Sequence, residues 1–115
     1  MQYLLLIYQN ETAPEMNEPA ALEKMSGDYR EFTQSILKSG HMRGGDALQR
    51  TSTATTVRVR NGKLLQTDGP FAETKEQIGG FYLVDCKDLD EAIEVAAKIP
   101  GAQLGTIEVR PIWEM

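Results

Sequence analysis

The run Asp68-Gly69-Pro70-Phe71-Ala72-Glu73-Thr74-Lys75-Glu76 concentrates reactive groups: three carboxylates, one ammonium and one aromatic ring. A carboxylate held by a rigid turn beside an apolar wall can act as acid or base when burial raises its pKa. The competing explanation is an Asx-turn, in which Asp68 bonds the backbone, Gly69 takes positive φ, Pro70 fixes the exit and the charges are solvated. Tyr29 carries a phenol that can donate a proton to a ligand, or can pack in the core with its hydroxyl satisfied locally. His41 is the sole imidazole, so any Ser–His–Asp or Cys–His mechanism must use it. Nothing in the sequence brings Ser39, Ser52 or Cys86 to it, and a surface cap behind a helix is the simpler role. Cys86 stands beside Lys87, which would lower its pKa, but an inert, partly buried thiol is the simpler reading. Gly44-Gly45 and Gly79-Gly80 match neither GxGxxG nor a P-loop, so phosphate binding has no support.

The elements that must position these groups follow from periodicity. Residues 2–8 form a short apolar run and read as a strand. Asn10 to Asn17 reads as a loop, after which a helix begins with Asn17 as cap and Pro19 in its first turn. Leu22, Met25, Tyr29, Phe32 and Ile36 recur at steps of three and four, one face of a helix, which therefore turns Tyr29 toward the sheet. Gly40 suits the left-handed position that ends it. His41 to Leu48 reads as a strand with a bulge at Gly44-Gly45. Residues 54–60 alternate as a half-exposed strand, Asn61-Gly62 is a type I′ hairpin signal, and Lys63 to Thr67 returns. Arg58, Arg60 and Lys63 make this ribbon basic, which suits a guarded edge. Ile78 to Val84 is the next strand. A second helix opens with Asp88 as cap and Glu91 as its capping-box partner, and stops at Pro100-Gly101. Thr106 to Trp113 closes the chain, with Ile107, Val109 and Trp113 on one face. Without the hairpin the order is βαββαβ, the α+β ferredoxin-like split, expected as one domain over residues 1–115.

Two strands are apolar on both faces. Tyr3, Leu5 and Ile7 oppose Leu4, Leu6 and Tyr8; Phe81 and Leu83 oppose Tyr82 and Val84. Two helices in this topology cover one side of the sheet only, so a second copy packed sheet to sheet is the economical cover. The alternative is that the hairpin and the loop around Phe71 fold over that face. A small-molecule cleft is expected between sheet, helix and partner.

The composition narrows the function. The chain has 115 residues, 41% hydrophobic and 25% charged, with 17 acidic against 12 basic side chains. That is the balance of a globular protein, and its net charge of −5 speaks against nucleic-acid binding, which needs a basic face. One cysteine allows no internal disulfide, and one histidine with one cysteine falls short of the four N or S ligands of a structural zinc site. The reading therefore names no metal and no cofactor. No apolar run reaches the ~20 residues of a membrane span, and Leu4 to Tyr8 lacks the flanks of a signal peptide, so a cytoplasmic protein without membrane contact is expected.

Thr67 to Glu76, followed by Gly79-Gly80-Phe81-Tyr82, resembles the signature of the YCII-related family in its DGPF-motif branch. The opening Met1 to Tyr8, Gly44 to Gln49, Ser52 to Arg58 and Ile107 to Ile112 are similar to the same family, so the resemblance spans the chain. It implies a ferredoxin-like homodimer of the α+β barrel type, a fold like that of small lactone isomerases and dehalogenating enzymes. In the shorter branch a helix-1 histidine paired with an aspartate is a proposed dyad. Counted back from Gly40, that histidine's place is taken by Tyr29, and a phenol with a pKa near 10 is a poor base at neutral pH. The resulting expectation is a homodimer with a cleft for a small molecule. Asp68 is its proton acceptor and Tyr29 its donor, and Gly69, Pro70, Phe71, Glu73 and Lys75 contact the ligand in an isomerisation or elimination. The alternative is a non-enzymatic module serving extracytoplasmic-function sigma factors, beside whose genes members of this branch tend to lie.

Overall fold

Along β1 (Gln2–Gln9) every second side chain is buried, beginning with Tyr3, Leu5 and Ile7, while Leu4, Leu6 and Tyr8 between them are half-buried. The computed structural model describes residues 1–114. It continues with α1 (Pro19–Lys38), β2 (Met42–Ala47), β3 (Thr55–Arg60), β4 (Lys63–Asp68), β5 (Gln77–Asp85), α2 (Leu89–Ala97) and β6 (Thr106–Pro111). Short 3-10 turns lie at Pro14–Met16, Thr51–Thr53 and Pro100–Ala102. Four strands form an antiparallel sheet in the order β2-β5-β1-β6, and β3 and β4 pair only with each other as a two-stranded ribbon. Removing the ribbon leaves the ferredoxin-like arrangement.

Both helices pack on the Tyr3–Leu5–Ile7 side. Phe32 and Ile36 from α1, and Ala92, Val95 and Ala96 from α2, meet Tyr82, Val84 and the following Ile99 there. The alanines let α2 approach closely, and Leu5, Val84 and Ile99 are the largest fully buried side chains. Phe32 and Tyr82 meet edge to face with ring centroids 5.1 Å apart. Gly45 is required beside that ring, because a Cβ there would lie 2.8 Å from the Phe81 carbonyl and 2.9 Å from Tyr82 Cδ1.

Several local expectations are corrected. Asn17 does not cap α1: Glu18 is the capping residue, without a side-chain bond, and the Asn17 amide instead donates to the Glu11 and Ala13 carbonyls and accepts from Arg50. The register shift in β2 falls between Met42 and Gly44, making Arg43 the extra residue rather than the glycine pair. Glu91 completes its capping interaction on the Lys87 N–H, one residue before the Asp88 cap. Pro100-Gly101 begins a 3-10 turn as well as ending α2. Trp113 lies beyond β6 and is 84% exposed, because the strand ends at Pro111.

The opposite side of the sheet carries Leu4, Leu6, Phe81 and Leu83 in paired register. The hairpin does not fold over it: Phe71 is 79% exposed, as are Val57, Val59, Leu64 and Leu65 of the ribbon to a lesser degree. The ribbon projects instead, giving a radius of gyration of 16.0 Å, against about 13 Å for a compact chain of ~100 residues. The two regions should respond differently to truncation. Leu5→Ala, at a site with no exposure, should cost about 3 kcal/mol in urea denaturation, whereas Arg58→Ala on the ribbon should stay within about 0.5 kcal/mol.

Candidate functional site

The first half of α1 stands away from the sheet. Phe32 and Ile36 are its buried residues, whereas Leu22 and Met25 on the same stripe are not. The gap is a cleft of about 770 Å³ between α1 and the β2–β5 edge. Leu22, Met25 and Ile7 supply apolar wall, and Met16 and Leu48 stand at its rim. Arg50 fastens that rim by donating to the Glu11 and Met16 carbonyls and to Asn17 Oδ1.

Two polar groups converge at the inner end. Tyr29 Oη accepts a hydrogen bond from the Gly101 N–H at 3.2 Å, and no acceptor among the described residues takes the phenolic proton. Gln9, 7% exposed, presses its amide against the same spot, and its Nε2 has no hydrogen-bond partner among the described residues. Gly101 makes this convergence possible, since a Cβ there would collide with the Gln9 amide and lie 2.6 Å from Tyr29 Oη. Burial pushes the Tyr29 pKa upward, against a smaller lowering by the Gly101 N–H. The phenol is thus a hydrogen-bond donor at neutral pH. Nearby, the Thr33 and Tyr82 hydroxyls pair at 2.7 Å.

The Asp68–Lys75 run lies elsewhere. Asp68 ends β4 opposite Thr55, exposed. Gly69 adopts φ 101°, its N–H donates to the Ala54 carbonyl at 2.7 Å, and its carbonyl accepts from Thr56 Oγ1 at 2.8 Å. The turn therefore closes the base of the ribbon through Gly69, and Asp68 makes no side-chain bond among the described residues. Pro70, Phe71, Glu73 and Lys75 are exposed, and none of the run lines the cleft that Tyr29 lines. Gln9, Gly101 and the β2 residue Asp46 at the cleft edge are absent from the expected site. Gly101 gave only a helix-stop signal, and Gln9 gave none.

His41 has more company than expected. Its Nδ1 lies 2.7 Å from Ser39 Oγ and its Nε2 lies 3.1 Å from Glu91 Oε1. Cys86 joins the same group, and its thiol is pushed up rather than down, first by burial and then by the negative charges of Glu91 and Asp85. Proximity to Lys87 does not activate it.

A family model for the YCII-related domain matches residues 1–115. The chain belongs to the YCII-related family. Within reach of this family assignment, an uncharacterised protein of Rhizobium meliloti (strain 1021) is 36% identical over 114 residues, covering 97% of this chain and 92% of that one. A solved structure of similar fold is the 5-chloro-2-hydroxyhydroquinone dehydrochlorinase of Burkholderia phenoliruptrix AC1100, in complex with 2,5-dihydroxybenzoquinone. It has a TM-score of 0.50 and 14% identity, covering 99% of this YCII-related chain and 94% of that one. The likeness concerns the fold.

The raised Tyr29 pKa has a defined consequence. A phenol that keeps its proton in the folded state favours folding fully below the unfolded value near 10, and that contribution is lost as pH rises through the folded value. In an absorbance titration of phenolate, the difference between wild type and Tyr29→Phe should therefore appear above pH ~10. Gly101→Ala should destabilise the chain by about 1–3 kcal/mol in urea, through overpacking against Gln9 and Tyr29.

Proposed function

We propose that this YCII-related chain works as a homodimer whose cleft binds a small hydroxylated ring and performs acid–base chemistry on it, an isomerisation or elimination. The observation that carries the reading is the Tyr29 hydroxyl. Its oxygen is anchored by Gly101, and its proton is uncommitted in a largely apolar cleft of about 770 Å³. Pockets for compact organic ligands commonly measure about 300–1,000 Å³, with few polar groups fixing orientation. The bound 2,5-dihydroxybenzoquinone of the fold-related dehydrochlorinase supports a ring of that kind.

In this reading Tyr29 donates to a ring oxygen, and the hydrogen bond strengthens as negative charge develops there. A carboxylate removes the proton from the neighbouring carbon. The electron pair then expels a leaving group, or the proton returns at another carbon. Asp68 is assigned that acceptor role across the dimer. Within one chain the DGPF run lies outside the cleft, whereas a projecting ribbon suits delivery to a second subunit. The apolar open face bearing Leu4, Leu6, Phe81 and Leu83 is the surface on which that subunit would pack.

Calorimetry with 2,5-dihydroxybenzoquinone should show saturable binding, weakened about tenfold in Tyr29→Phe for the loss of one hydrogen bond. Once a converted substrate is found, Asp68→Asn should lower turnover at least ~100-fold with the fold intact. Sedimentation should find a dimer for wild type and a monomer for Leu6→Lys. A monomeric wild type removes the assignment of Asp68, and unaltered binding in Tyr29→Phe removes that of the phenol.

A further inference from the structure

We propose that His41, Cys86 and Glu91 form a binding site for a divalent transition-metal cation of the zinc class. Their ligand atoms, a ring nitrogen, a thiol sulfur and a carboxylate oxygen, all lie within 4.8 Å of one another. Zinc bonds of roughly 2.0–2.3 Å in a tetrahedron set ligand atoms about 3.5 Å apart, so the group needs to contract by about 1 Å. His41 and Glu91 have that freedom, with a quarter of each side chain exposed, while Cys86 forms the buried floor.

Three elements supply the ligands, and each is anchored through its backbone. The end of α1 closes with Gly40 at φ 82°, the Gly40 N–H on the Leu37 carbonyl and the His41 N–H on the Ile36 carbonyl. This Schellman arrangement fixes the histidine backbone behind the helix. The Asp85 N–H donates to the His41 carbonyl, and the Cys86 N–H donates to the Met1 carbonyl, which hold the end of β5 beside it. Glu91 sits in the first turn of α2, where its N–H donates to the Asp88 cap.

The donor chemistry fits a borderline-soft dication better than calcium or magnesium, which take oxygen ligands. Ser39 Oγ sits on the second ring nitrogen at 2.7 Å and holds the imidazole orientation, as outer partners of metal-bound histidines do. Glu91 Oε1 receives the Lys87 N–H and His41 Nε2, whereas its Oε2 has no bond among the described residues and is available to an ion. A thiolate and a carboxylate would together balance the charge of the dication. Three protein ligands leave a fourth position for water. None of the three residues lines the Tyr29 cleft, so the site stands independently of the proposed acid–base function.

The test is titration of the full-length, chelator-treated protein with Co²⁺, followed by competition with Zn²⁺. The expected result is one Co²⁺ per chain, with an intense thiolate-to-cobalt band in the near ultraviolet that Zn²⁺ abolishes, and a rise in Tm with Zn²⁺. Cys86→Ala should lose the band, and His41→Ala and Glu91→Gln should weaken binding at least ~10-fold. His41 is half-buried at the surface, so its variant keeps the test valid should Cys86→Ala fold poorly. Binding without a thiolate band, binding unchanged by His41→Ala, or no binding overturns the proposal. An ion captured by the exposed Met1 amine and Asp85 would produce the first two of these.

Discussion

The central strand β1 is hydrogen-bonded along both edges, to β5 and to β6, and is apolar on both faces. The first condition leaves it no backbone freedom, and the second leaves it no face that prefers water. Tyr3, Leu5 and Ile7 meet the two helices. Leu4, Leu6 and Tyr8 point the other way, and the Tyr8 hydroxyl donates to the Glu108 carboxylate at 3.2 Å. Glu108 in turn holds Arg110 at 2.8 Å, so the β6 side of the open face is polar where the β5 side is apolar. Screened, exposed pairs of this kind contribute little stability. Their effect is to bound the apolar area, which lies on the β1–β5 side of the open face.

The same strand carries the cleft. Gln9 ends β1 on its buried face, and the turn after α2 delivers Gly101 against it, so the Tyr29 hydroxyl is held by the Gly101 N–H rather than by its own helix. A phenol in this position differs from an imidazole in kind. Burial drives it toward its neutral form, which donates and cannot accept a proton as a base at physiological pH. In the proposed acid–base reading, donation and acceptance are therefore divided between groups on different elements.

Legibility in the sequence followed the range of the interaction. The alternation of β1 and β5, the Asn61-Gly62 turn, the Asp88 cap and the Gly40 stop all depend on neighbours within a few residues, and their patterns are visible in the chain. Asn17 failed as a cap because loop carbonyls and Arg50, 33 residues away, compete for its side chain. The Tyr29–Gly101 contact joins residues 72 apart and the His41–Glu91 contact residues 50 apart, and no local pattern encodes either. The charge between Asp68 and Glu76 lies on a strand end and its turn, where Gly69 closes the base of the ribbon.

The ribbon's ladder is entirely internal, from Thr55 opposite Asp68 to Arg60 opposite Lys63, with its tip at Asn61 and Gly62 in left-handed conformation. Adding or deleting one rung, a residue on each strand beside the tip, would lengthen or shorten the arm by about 3.3 Å without disturbing any pairing in the main sheet. The arm's span is thus an independent variable of this architecture, one that descent can adjust like the length of a lever while its fulcrum at Gly69 stays put.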